Sequence, residues 1–578
     1  MNTPTTRSPT RPWHILPQDD STARRFEADC GLGPVAARVM AARGWTDPEA
    51  LRDFLTNGLS SLSDPLSLPD MAAAADRLTA AIAAGEHICI YGDYDVDGTT
   101  GSAVLLRTMR WLGVEHVTHE TPHRVHEGYG LKPEAVDRLA DEGVDLIVTV
   151  DNGTTAHPAL ERARERGIDV IVTDHHQLDT SLPPAVALVN PWRIESDTAF
   201  RDLCGCAVAF KLAMALAKAM GRDAEEAKPF LLSLLDLVAV ATVADMVTLL
   251  GENRAIVRYG LSHLHRSENL GLRALIDVAD LQGGVSAENI GWVLGPRINA
   301  AGRTDHASVA VELLTTEDPQ RAKEIALELE RLNRERRQIE AAIVEQAIEE
   351  LESHRDDPVI ILARPGWHIG VLGIVASRIL ERAERPTILL AIERDIARGS
   401  GRSVPGFDMH AALTACRDHL EGFGGHPMAA GVTCLPSKIE DFRRAMIAHA
   451  ESLGPDALGP RPLVADTELA PDELCVETLE DIARLGPHGD GHRRPQFVLR
   501  ELELAATPQV LKRTHLKFRF LLPNGRPLTA MAWRRADRLG ELLPSPRRMD
   551  IIGQPTLNEW QGQRTVEFTV RDWRVTEP

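Results

Sequence analysis

The hydrophobic pattern of the first half of the chain alternates between helical and strand-like segments. Met71–Ala84 carries Leu78 and Ile82 on one helical face, and Gly85 separates it from the apolar run His87–Tyr91. That order is typical of a helix followed by a buried strand. Further strands are predicted at 145–150, 169–173 and 186–189, with a helix around 157–166. Strands that alternate with helices predict a mostly parallel, doubly wound α/β sheet.

Longer helical patterns follow this sheet. Gly205–Gly221 and Phe230–Leu250 are apolar on most sides, which predicts buried helices that extend the same domain. Asp318–Ser353 has apolar residues along one face and Glu/Arg pairs on the other, so we predict a connecting helix there. At about 1.5 Å per residue this helix spans roughly 50 Å, which is long enough to join two lobes.

Two further patterns complete the chain. Pro358–Ala363 begins a second α/β block that continues to about Ser452, and the Gly/Pro-rich segment Leu453–Pro462 ends it. After Arg494 the pattern changes to short alternating strands. These are predicted at 498–504, 516–521, 528–533, 549–552 and 565–570. Five such strands suit a small barrel of the OB kind.

The chain of 578 residues is too long for one hydrophobic core, and the patterns divide it into five parts. They are an N-terminal helical segment (1–75), a first α/β domain (76–317), a connecting helix (318–353), a second α/β domain (354–455) and an OB-like domain (456–578). The Pro-punctuated stretch Ser63–Pro69 indicates the first boundary.

Composition and cysteine usage favour a cytoplasmic, globular protein. Hydrophobic residues make up 43% and charged residues 26% of the chain, and no apolar run approaches the roughly 20 residues of a membrane span. We therefore expect no membrane partner. Met1–Thr10 is polar and lacks the apolar core of a secretory signal. The seven cysteines are scattered without a CxxC pair, so we expect reduced, mostly buried thiols.

Charge is distributed unevenly along the chain. The net charge of −20 argues against a phosphate-rich partner, because phosphate binding normally requires a surplus of Lys and Arg. From Asp490 to the C-terminus, however, sixteen Lys and Arg stand against ten Asp and Glu. The predicted barrel is therefore a basic module on an acidic body, which favours a nucleic-acid partner. A basic face that only aids solubility is the alternative.

Three carboxylates follow the first predicted strand. Asp93, Asp95 and Asp97 lie in the segment GDYDVDG, directly before a helix. Ligands bind at the carboxyl ends of strands in open α/β sheets, and alternate residues there project together, so Asp95 and Asp97 can share a cation. A calcium loop is the alternative, but its last ligand would be a bidentate Glu where this chain has the apolar Val104.

The same pattern occurs at the next two strands. Strand 145–150 is followed by Asp151-Asn152-Gly153, and strand 169–173 is followed by Asp174-His175-His176. By itself, Asp151 would more often cap the following helix. Three strands that deliver acids or imidazoles to one sheet edge argue against that alternative. Because oxygen ligands dominate and no thiolate is offered, the set favours Mn²⁺ or Mg²⁺ over Zn²⁺.

A further acid, Asp245, closes the otherwise apolar segment Ala239–Val247. A buried carboxylate without a partner is costly, so it needs a cation, a hydrogen-bond network or water. The partner we expect is the metal cluster predicted at the sheet edge.

These motifs, taken in order, resemble a known family. GDYDVDG, DNG, DHH and TVADMV are similar to the four motifs of the DHH phosphoesterase superfamily. The segments GWHIGVLGIVASR (366–378), GSGRSVPGFDMHAAL (399–413) and GGHPMAAG (424–431) resemble its DHHA1 companion domain. PHRVHEGYGL (122–131), GPRINAAGR (295–303) and the terminal barrel narrow the resemblance to the RecJ family. It covers the chain from about residue 62 to the end.

The resemblance implies a two-metal active site. Two Mn²⁺ or Mg²⁺ ions would be held by Asp95, Asp97, Asp151, His175 and Asp245. Asp151 would bridge the ions, and the catalytic supporting residues would be Asp93, Asp174 and His176. Such a pair of ions orients water in line with the scissile phosphorus and neutralises the leaving oxygen. For His176 the alternative is a core imidazole that only packs.

Phosphate binding is the second implied role. The candidate residues are Arg124, Arg303, Ser400 and Arg402. Guanidinium groups bind phosphate oxygens bidentately, and a serine hydroxyl can donate a hydrogen bond beside them. Each arginine taken singly could instead form a surface ion pair.

The predicted barrel interleaves aromatic residues with cations. The aromatics are Phe518, Phe520, Trp533 and Trp560, and the cations are Lys512, Arg513, Lys517, Arg519, Arg534 and Arg535. Such an arrangement can stack bases while the charges follow the backbone of a single strand. Phe518 and Phe520 have the same strand parity, so we expect them to share one face and to belong to the core.

The resemblance implies a cytoplasmic, metal-dependent exonuclease that digests single-stranded DNA from its 5′ end, releasing 5′-mononucleotides in recombination and repair. Its protein partners would be a single-strand-binding protein or a helicase. Two alternatives stay open: a DHH-type oligonucleotide or cyclic-dinucleotide phosphodiesterase, which typically lacks the barrel, and a non-catalytic replication scaffold, which would lack metal ligands. The chain departs from the family pattern at 490–495, where a Gly-Asn-Pro-like turn is common, and at Cys206, where a small residue is expected.

Overall fold

The structure, a computed structural model, describes residues 11–124, 127–193, 200–281, 283–304, 306–454, 458–459, 461–543, 547–560 and 562–577. The polar segment Met1–Thr10 interpreted above lies outside these residues. The chain forms two compact units. The first comprises the described parts of Met1–Asn57, Leu249–Gly251 and Pro460–Pro578, and the second comprises those of Gly58–Thr248 and Glu252–Gly459.

The first unit begins with a short strand and three helices. These are β1 (Trp13–Ile15), α1 (Asp20–Cys30), α2 (Pro34–Ala42) and α3 (Pro48–Thr56). Asp19 and Asp47 accept hydrogen bonds from the first backbone N–H groups of α1 and α3. Pro34 and Pro48 occupy first helical positions, where no backbone donor is needed. Local sequence therefore sets where α1, α2 and α3 begin.

A five-stranded parallel sheet forms the centre of the second unit. Its elements are α4 (Met71–Ala84), β2 (Ile88–Gly92), α5 (Val96–Leu112), β3 (Val117–Glu120), α6 (Pro133–Asp141), β4 (Leu146–Val150), α7 (His157–Arg166), β5 (Asp169–Thr173) and β6 (Ala187–Val189). The strand order is β3-β2-β4-β5-β6, and all neighbours are parallel. The predicted doubly wound α/β class is confirmed. The hydrophobic pattern missed β3, because this edge strand contains no fully buried residue.

Helices lead from this sheet to a second one. They are α8 (Gly205–Ala219), α9 (Ala224–Ala244), α10 (Gly251–His263), α11 (Leu270–Val278), α12 (Ala287–Asn289), α13 (Gly295–Thr304), α14 (Ser308–Thr315) and α15 (Pro319–Leu351). A π-helical turn, Ile290–Leu294, joins α12 to α13. The predicted connecting helix is confirmed as α15. Helix α9 begins before the predicted Phe230, because Asp223 caps it, and it ends at Ala244.

Helix α9 is, among the described residues, the one helix that is long and apolar enough to cross a membrane by length and composition alone. Of its most apolar window, 56% is buried inside the protein. It packs against α5 and α8. Core helices of water-soluble proteins meet the same criterion, so the length and composition of α9 are weak grounds for a membrane span.

A mixed sheet forms the rest of the second unit. Its elements are β7 (Ile360–Pro365), α16 (Ile369–Ala383), β8 (Thr387–Glu393), β9 (Ile396–Arg402), α17 (Met409–Ala415), β10 (Gly422–His426), β11 (Ala429–Cys434) and α18 (Ile439–Ser452). The strand order is β10-β11-β9-β8-β7, with only β7 and β8 parallel. A Cβ added at Gly399 would lie 1.8 Å from the Leu389 carbonyl oxygen. Glycine is therefore required at this position of β9, which lies directly beside β8 in the sheet.

A closed barrel completes the first unit. Its elements are β12 (Leu463–Ala465), β13 (Thr467–Glu468), α19 (Val476–Ala483), β14 (Phe497–Leu511), β15 (His515–Leu521), β16 (Pro527–Ala532), β17 (Arg548–Trp560) and β18 (Gln563–Glu577). Strands β14-β15-β16-β18-β17 are neighbours in that order, and β17 pairs back to β14. The predicted OB-like barrel is confirmed, with β14, β17 and β18 longer than the sequence pattern indicates.

The N-terminal helices and the barrel share one hydrophobic core. Phe26, Met40 and Leu51 belong to the same buried cluster as Phe497 and Phe518. Strand β1 also pairs in parallel with β12. Periodicity predicts which face of a helix is buried but not which element covers it, so the sequence did not indicate this association.

Candidate active site

The carboxyl ends of β2, β4 and β5 bring the predicted metal ligands to one edge of the parallel sheet. His175 Nε2 lies 3.2 Å from Asp151 Oδ1, 3.6 Å from Asp245 Oδ2 and 3.7 Å from Asp97 Oδ2. Asp245 directly follows the last residue of α9. Carboxylates that follow β2, β4 and α9 thus surround an imidazole that follows β5.

Three overlapping groups of side chains have potential ligand atoms within 4.8 Å of one another. The groups are Asp97 with His175 and Asp245, Asp93 with Asp95 and Asp151, and Asp151 with His175 and His176. Asp151 belongs to two of the groups, and so does His175. A carboxylate common to two groups is suited to bridging two cations.

The amino end of α8 holds Asp97 in place. Gly205 N donates to Asp97 Oδ2 at 2.6 Å, and Cys206 N donates to Asp97 Oδ1 at 2.9 Å. Helix N-termini stabilise anionic side chains in this way. Sequence reasoning missed Gly205, whose only indication was its position at the start of a predicted helix. Cys206 acts here through its backbone, which explains why a side chain larger than expected is compatible with this contact.

Two glycines permit the close packing of the cluster. A Cβ added at Gly205 would lie 2.6 Å from Asp151 Cβ, and one added at Gly98 would lie 2.4 Å from the Asp93 carbonyl oxygen. Both positions are too close for any side chain, because interiors have no room to relax by this much. The spacing of the carboxylates therefore depends on residues that carry no functional group.

Backbone geometry separates the roles of Asp95 and Asp151. Asp95 Oδ1 caps α5, accepting from Asp97 N at 2.9 Å and Gly98 N at 3.2 Å. Asp151 has a positive φ of 62°, and the residue that precedes α7 is Ala156, which makes no side-chain cap. The helix-cap alternative for Asp151 is therefore wrong. A non-glycine residue in the left-handed region is costly and concentrates at functional sites.

Burial disfavours the charged form of several of these groups. It raises the pKa of four carboxyl groups, those of Asp93, Asp97, Asp151 and Asp245, and neighbouring carboxylates raise it further. The pKa of Asp245 reaches about 9. Burial also lowers the pKa of His175, which keeps its imidazole neutral. Metals bind neutral imidazole and deprotonated carboxylate, so a bound cation would stabilise the charged form of these carboxyl groups that burial disfavours.

Unpartnered atoms complete the test for a metal site. Asp93 Oδ1, Asp151 Oδ1 and His175 Nε2 are buried without a hydrogen-bond partner among the described residues. Buried polar atoms are normally paired, so each one needs an explanation. Divalent cations would take these lone pairs and compensate the carboxylate charge. The residues therefore fit Mn²⁺ or Mg²⁺.

Asp174 and His176 form a hydrogen-bonded pair beside the cluster. Asp174 Oδ1 lies 2.8 Å from His176 Nδ1 and accepts from His175 N at 2.8 Å, while Asp174 Oδ2 accepts from Thr154 N at 3.0 Å. Burial opposes ionisation of Asp174, but its bond with His176 lowers its pKa below the usual range. Burial likewise opposes the charge on His176, whose bond with Asp174 raises its pKa to about 9.

His176 is not a core residue. Its side chain is 34% exposed and lines the cavity above the sheet edge. Its Nδ1 also lies 3.0 Å from the Tyr129 hydroxyl, which donates to the Asp151 carbonyl oxygen at 2.9 Å. The alternative of a merely packing imidazole is therefore wrong.

The cavity has a volume of about 240 Å³. Acids and cations line it together, namely Asp93, Tyr94, Asp95, Arg124, Tyr129, Asp151, His176, Asp245, Asn299 and Arg303. Sequence reasoning missed Tyr129 and Asn299. Asn299 Oδ1 is buried without a hydrogen-bond partner among the described residues. Both residues lie in segments quoted for the family resemblance, PHRVHEGYGL and GPRINAAGR, which was the available indication.

The predicted phosphate-binding arginines repel one another. Arg303 Nη1 donates to the Gly370 carbonyl oxygen at 2.9 Å, and Arg402 Nη1 lies 3.4 Å from Ser400 Oγ. Burial lowers the pKa of Arg303 to about 9 and also lowers that of Arg402, and the charge of Arg124 lowers both further. Within the described chain no carboxylate forms an ion pair with these three groups. The surface-ion-pair alternative is not supported, and an anionic ligand would relieve the repulsion.

The barrel aromatics divide between core and surface. Phe518 and Phe520 are buried and stack with ring centroids 5.7 Å apart, which confirms that they share the inner face. Trp533 is 54% exposed, with its ring centroid 5.0 Å from that of His515. The side chain of Trp560 lies outside the described residues. Trp533 is therefore the predicted aromatic that is available to a ligand in the described barrel.

Family descriptions match three separate parts of the chain. The DHH family N-terminal domain matches residues 87–242, the DHHA1 domain matches residues 356–452, and the RecJ OB domain matches residues 465–572. These stretches contain the parallel sheet, the mixed sheet and the barrel, respectively.

Curated relatives match almost the whole chain. It is 35% identical over 572 residues to the single-stranded-DNA-specific exonuclease RecJ of Bacillus subtilis, covering 98% of this chain and 71% of the relative. It is 38% identical over 561 residues to the protein of that name from Dickeya dadantii, with coverages of 93% and 96%. For the Escherichia coli protein the identity is 35% over 560 residues, with coverages of 93% and 95%.

Solved structures match the fold. RecJ from Thermus thermophilus in complex with Mn²⁺ aligns with a TM-score of 0.82 and 32% identity, covering 98% of this chain and 80% of that one. The complex of the same protein with Mg²⁺ gives a TM-score of 0.77 and 30% identity, with coverages of 98% and 79%. These two solved structures contain Mn²⁺ and Mg²⁺, respectively, the ions that the oxygen-rich cluster described above favours.

Proposed function

Since this chain belongs to the RecJ family of DHH phosphoesterases, we propose that it is a metal-dependent exonuclease that degrades single-stranded DNA. It hydrolyses phosphodiester bonds from the 5′ end and releases 5′-mononucleotides. The observation that carries this proposal is the buried cluster around His175, which adjoins a cavity also lined by Arg124 and Arg303. Cation ligands beside phosphate-binding groups are what phosphodiester hydrolysis by two metal ions requires.

Five residues would hold the two cations. Asp95, Asp97, Asp151, His175 and Asp245 would be the ligands for Mn²⁺ or Mg²⁺, and Asp151, which belongs to two of the ligand groups, would serve both ions. When bound, the ions activate and orient water and neutralise the leaving oxygen. The chain's own contribution is orientation. The α8 amino end fixes Asp97, and Asp174 fixes the ring of His176, which faces the cavity where the phosphate lies.

The arginines select the end of the strand. Arg124 and Arg303 line the cavity, and Arg402 with Ser400 lies close enough for Arg124 to affect its pKa. A terminal 5′-phosphate carries more charge than an internal phosphodiester, so a group of three mutually repelling guanidinium ions favours the end. This preference supports exonuclease action with 5′ polarity.

Two other functions have less support. An oligonucleotide or cyclic-dinucleotide phosphodiesterase typically lacks a terminal barrel, whereas residues 465–572 of this chain match the RecJ OB domain. A non-catalytic replication scaffold would lack metal ligands, whereas the predicted ligands lie together here. The exonuclease is therefore the function that both units of the chain support.

The proposed setting is the bacterial-type repair of DNA in the cytoplasm. Single-stranded DNA is the substrate, in recombination and repair. A helicase would supply such strands and a single-strand-binding protein would present them. Copurification of either protein with this chain, after nuclease treatment that removes any DNA linking them, tests this assignment independently of catalysis; loss of the association on that treatment would contradict a direct partnership.

Degradation of end-labelled DNA tests the activity. With Mn²⁺ or Mg²⁺, a 5′-phosphorylated single strand labelled at its 3′ end should shorten progressively, releasing 5′-mononucleotides. The matching duplex should resist, and a chelator should stop the reaction. Internal cleavage, equal digestion of the duplex, or faster hydrolysis of a cyclic dinucleotide would contradict the proposal.

A further inference from the structure

Two large apolar side chains beside the active-site cavity are exposed to solvent. Trp292 is 77% exposed and Met246 is 74% exposed. Among the large hydrophobic side chains that the structure describes, these are the two highest exposed fractions. Exposed apolar groups that adjoin a ligand cavity indicate contact with another molecule.

Trp292 lies in the π-helical turn that leads directly into α13, the helix that contributes Asn299 and Arg303 to the cavity. Along α13, partly exposed positions include Pro296, Asn299 and Arg303, which are three or four residues apart. Residues with this spacing share one face of a helix. Asn299 and Arg303 line the cavity. The exposed Trp292 therefore directly precedes the helix that lines the cavity.

Met246 approaches the same face from α9. It directly follows the cavity residue Asp245. Ala244 Cβ lies 3.6 Å from the position that a Cβ on Gly295 would occupy, and Gly295 is about one turn from Trp292. The end of α9 and the start of α13 are thus close together, and Met246 and Trp292 each lie within a few residues of this point in the sequence.

The backbone is unusual at both residues. Met246 has a φ of 62°, which bulky residues rarely adopt, and Trp292 belongs to the π-helical turn Ile290–Leu294. Left-handed backbone and single π-helical turns both concentrate at functional sites. Two independent departures from regular geometry therefore occur where the two exposed side chains leave the chain.

We propose that Trp292 and Met246 form a stacking surface for the nucleobases of the strand whose phosphates the cavity binds. This inference rests on the proposed function. Bases are the flat, weakly polar groups of a single strand, and they alternate with phosphates along it, so a phosphate near Arg303 brings bases to the adjoining helix face. Aromatic rings and the polarizable methionine sulfur contact any base, so this surface is tolerant of sequence.

The test combines a protein change with a DNA change. Wild type, Trp292→Ala and Met246→Ala are compared on a 5′-phosphorylated strand and on the same strand with abasic nucleotides at its 5′ end. On the intact strand, Trp292→Ala should lower kcat/KM by about tenfold, as expected for loss of one base–aromatic stack. On the abasic strand the three proteins should differ by less than about twofold, because the partner base is already absent.

Two control variants complete the experiment. Trp292→Phe keeps an aromatic face and should recover most of the activity. Leu327→Ala removes an apolar side chain that is 51% exposed on α15 and should leave kcat/KM unchanged on both strands. Because Trp292 is exposed, its truncation leaves no core cavity, and a thermal melt verifies that each variant is folded.

The outcomes separate this inference from the proposed function. Equal losses on intact and abasic strands would overturn the stacking role while leaving the exonuclease assignment in place. A wild-type protein that degrades neither strand would refute the proposed function, and the stacking role with it.

Discussion

The active-site cavity and the barrel surface place charged residues in opposite physical settings. At the active site, Asp93, Asp97 and Asp151 are each no more than 3% exposed, and burial raises their pKa values. On the barrel, Lys512 and Arg513 are exposed. Charges interact strongly when buried and are screened within about 10 Å at the surface. Replacement of a single active-site residue should therefore abolish hydrolysis, whereas each barrel cation should contribute only a small part of the affinity for DNA.

The largest expected effect is that of Asp151→Ala. It removes the carboxylate common to two ligand groups, so hydrolysis should fall by more than the roughly hundredfold typical of losses outside the metal ligands. Binding of single strands should stay measurable, because the arginines are unchanged. Turnover at saturating Mn²⁺ and anisotropy of a labelled strand measure the two properties.

The matched control removes an exposed acid that does not line the cavity, as in Asp356→Ala. That variant should keep wild-type turnover. Near-normal turnover of Asp151→Ala itself would remove the basis for treating the cavity as the catalytic site.

The next effect is that of Gly205→Ala, which adds one methyl group and no charge. Because the new Cβ would lie 2.6 Å from Asp151 Cβ, α8 or Asp151 must move. We expect a loss of about 10–100-fold in kcat/KM, weaker Mn²⁺ binding, and a destabilisation of about 1–3 kcal/mol from overpacking. Calorimetric metal titration and thermal melts measure the last two.

Gly283→Ala serves as the control for Gly205→Ala, because a Cβ at Gly283 meets nothing within 4 Å. It should leave activity and metal affinity unchanged. If Gly205→Ala behaved like this control, the close contact of α8 with Asp151 would matter neither for activity nor for metal binding.

A smaller, selective effect is expected for Arg402→Ala. Its guanidinium lies beside Ser400 Oγ and within the influence of Arg124. Cleavage of 5′-phosphorylated strands should fall more than that of 5′-hydroxyl strands, so the difference between the two substrates narrows. Equal losses on both substrates would indicate that Arg402 contacts the DNA backbone without recognising the 5′-phosphate.

The smallest effect is expected on the barrel. Replacing Lys512, Arg513 and Arg534 by Ala should leave kcat on short strands unchanged and reduce the salt dependence of binding to long strands. Each lost phosphate contact should lower the slope of log K against log salt by about 0.7. An unchanged slope would show that these cations do not contact DNA.

Truncation after Gly486 is a less specific test of the barrel. It removes Phe497 and Phe518, which share a core with Phe26 and Met40 of the N-terminal helices. The truncated chain should lose the salt dependence of binding and also part of its thermal stability. The triple substitution separates these two effects, because its residues are outside that core.

The hydrophobic pattern predicted regular elements where side chains are buried on one side. Helix Met71–Ala84 and strand Asp169–Thr173 were predicted with their observed bounds. The pattern missed β3, an edge strand without a fully buried residue, and misplaced the start of α9, which capping by Asp223 sets. Periodicity indicates which positions are buried, whereas neither an edge strand without a fully buried residue nor a helix cap depends on burial.

The sequence by itself predicted which acids and imidazoles lie together at the sheet edge. Asp93, Asp95, Asp97, Asp151 and His175 follow parallel strands, and the carboxyl ends of parallel strands meet at one edge, so their proximity follows from chain order. Asp245 was added by the cost of burying an unpartnered carboxylate, and the phosphate-binding arginines came with the family resemblance. Tertiary structure alone decided that Gly205 must be glycine beside Asp151, and that Trp292 and Met246 stay exposed beside the cavity. These contacts join segments distant in sequence, and they depend on how side-chain volumes pack, which a pattern of polar and apolar positions does not specify.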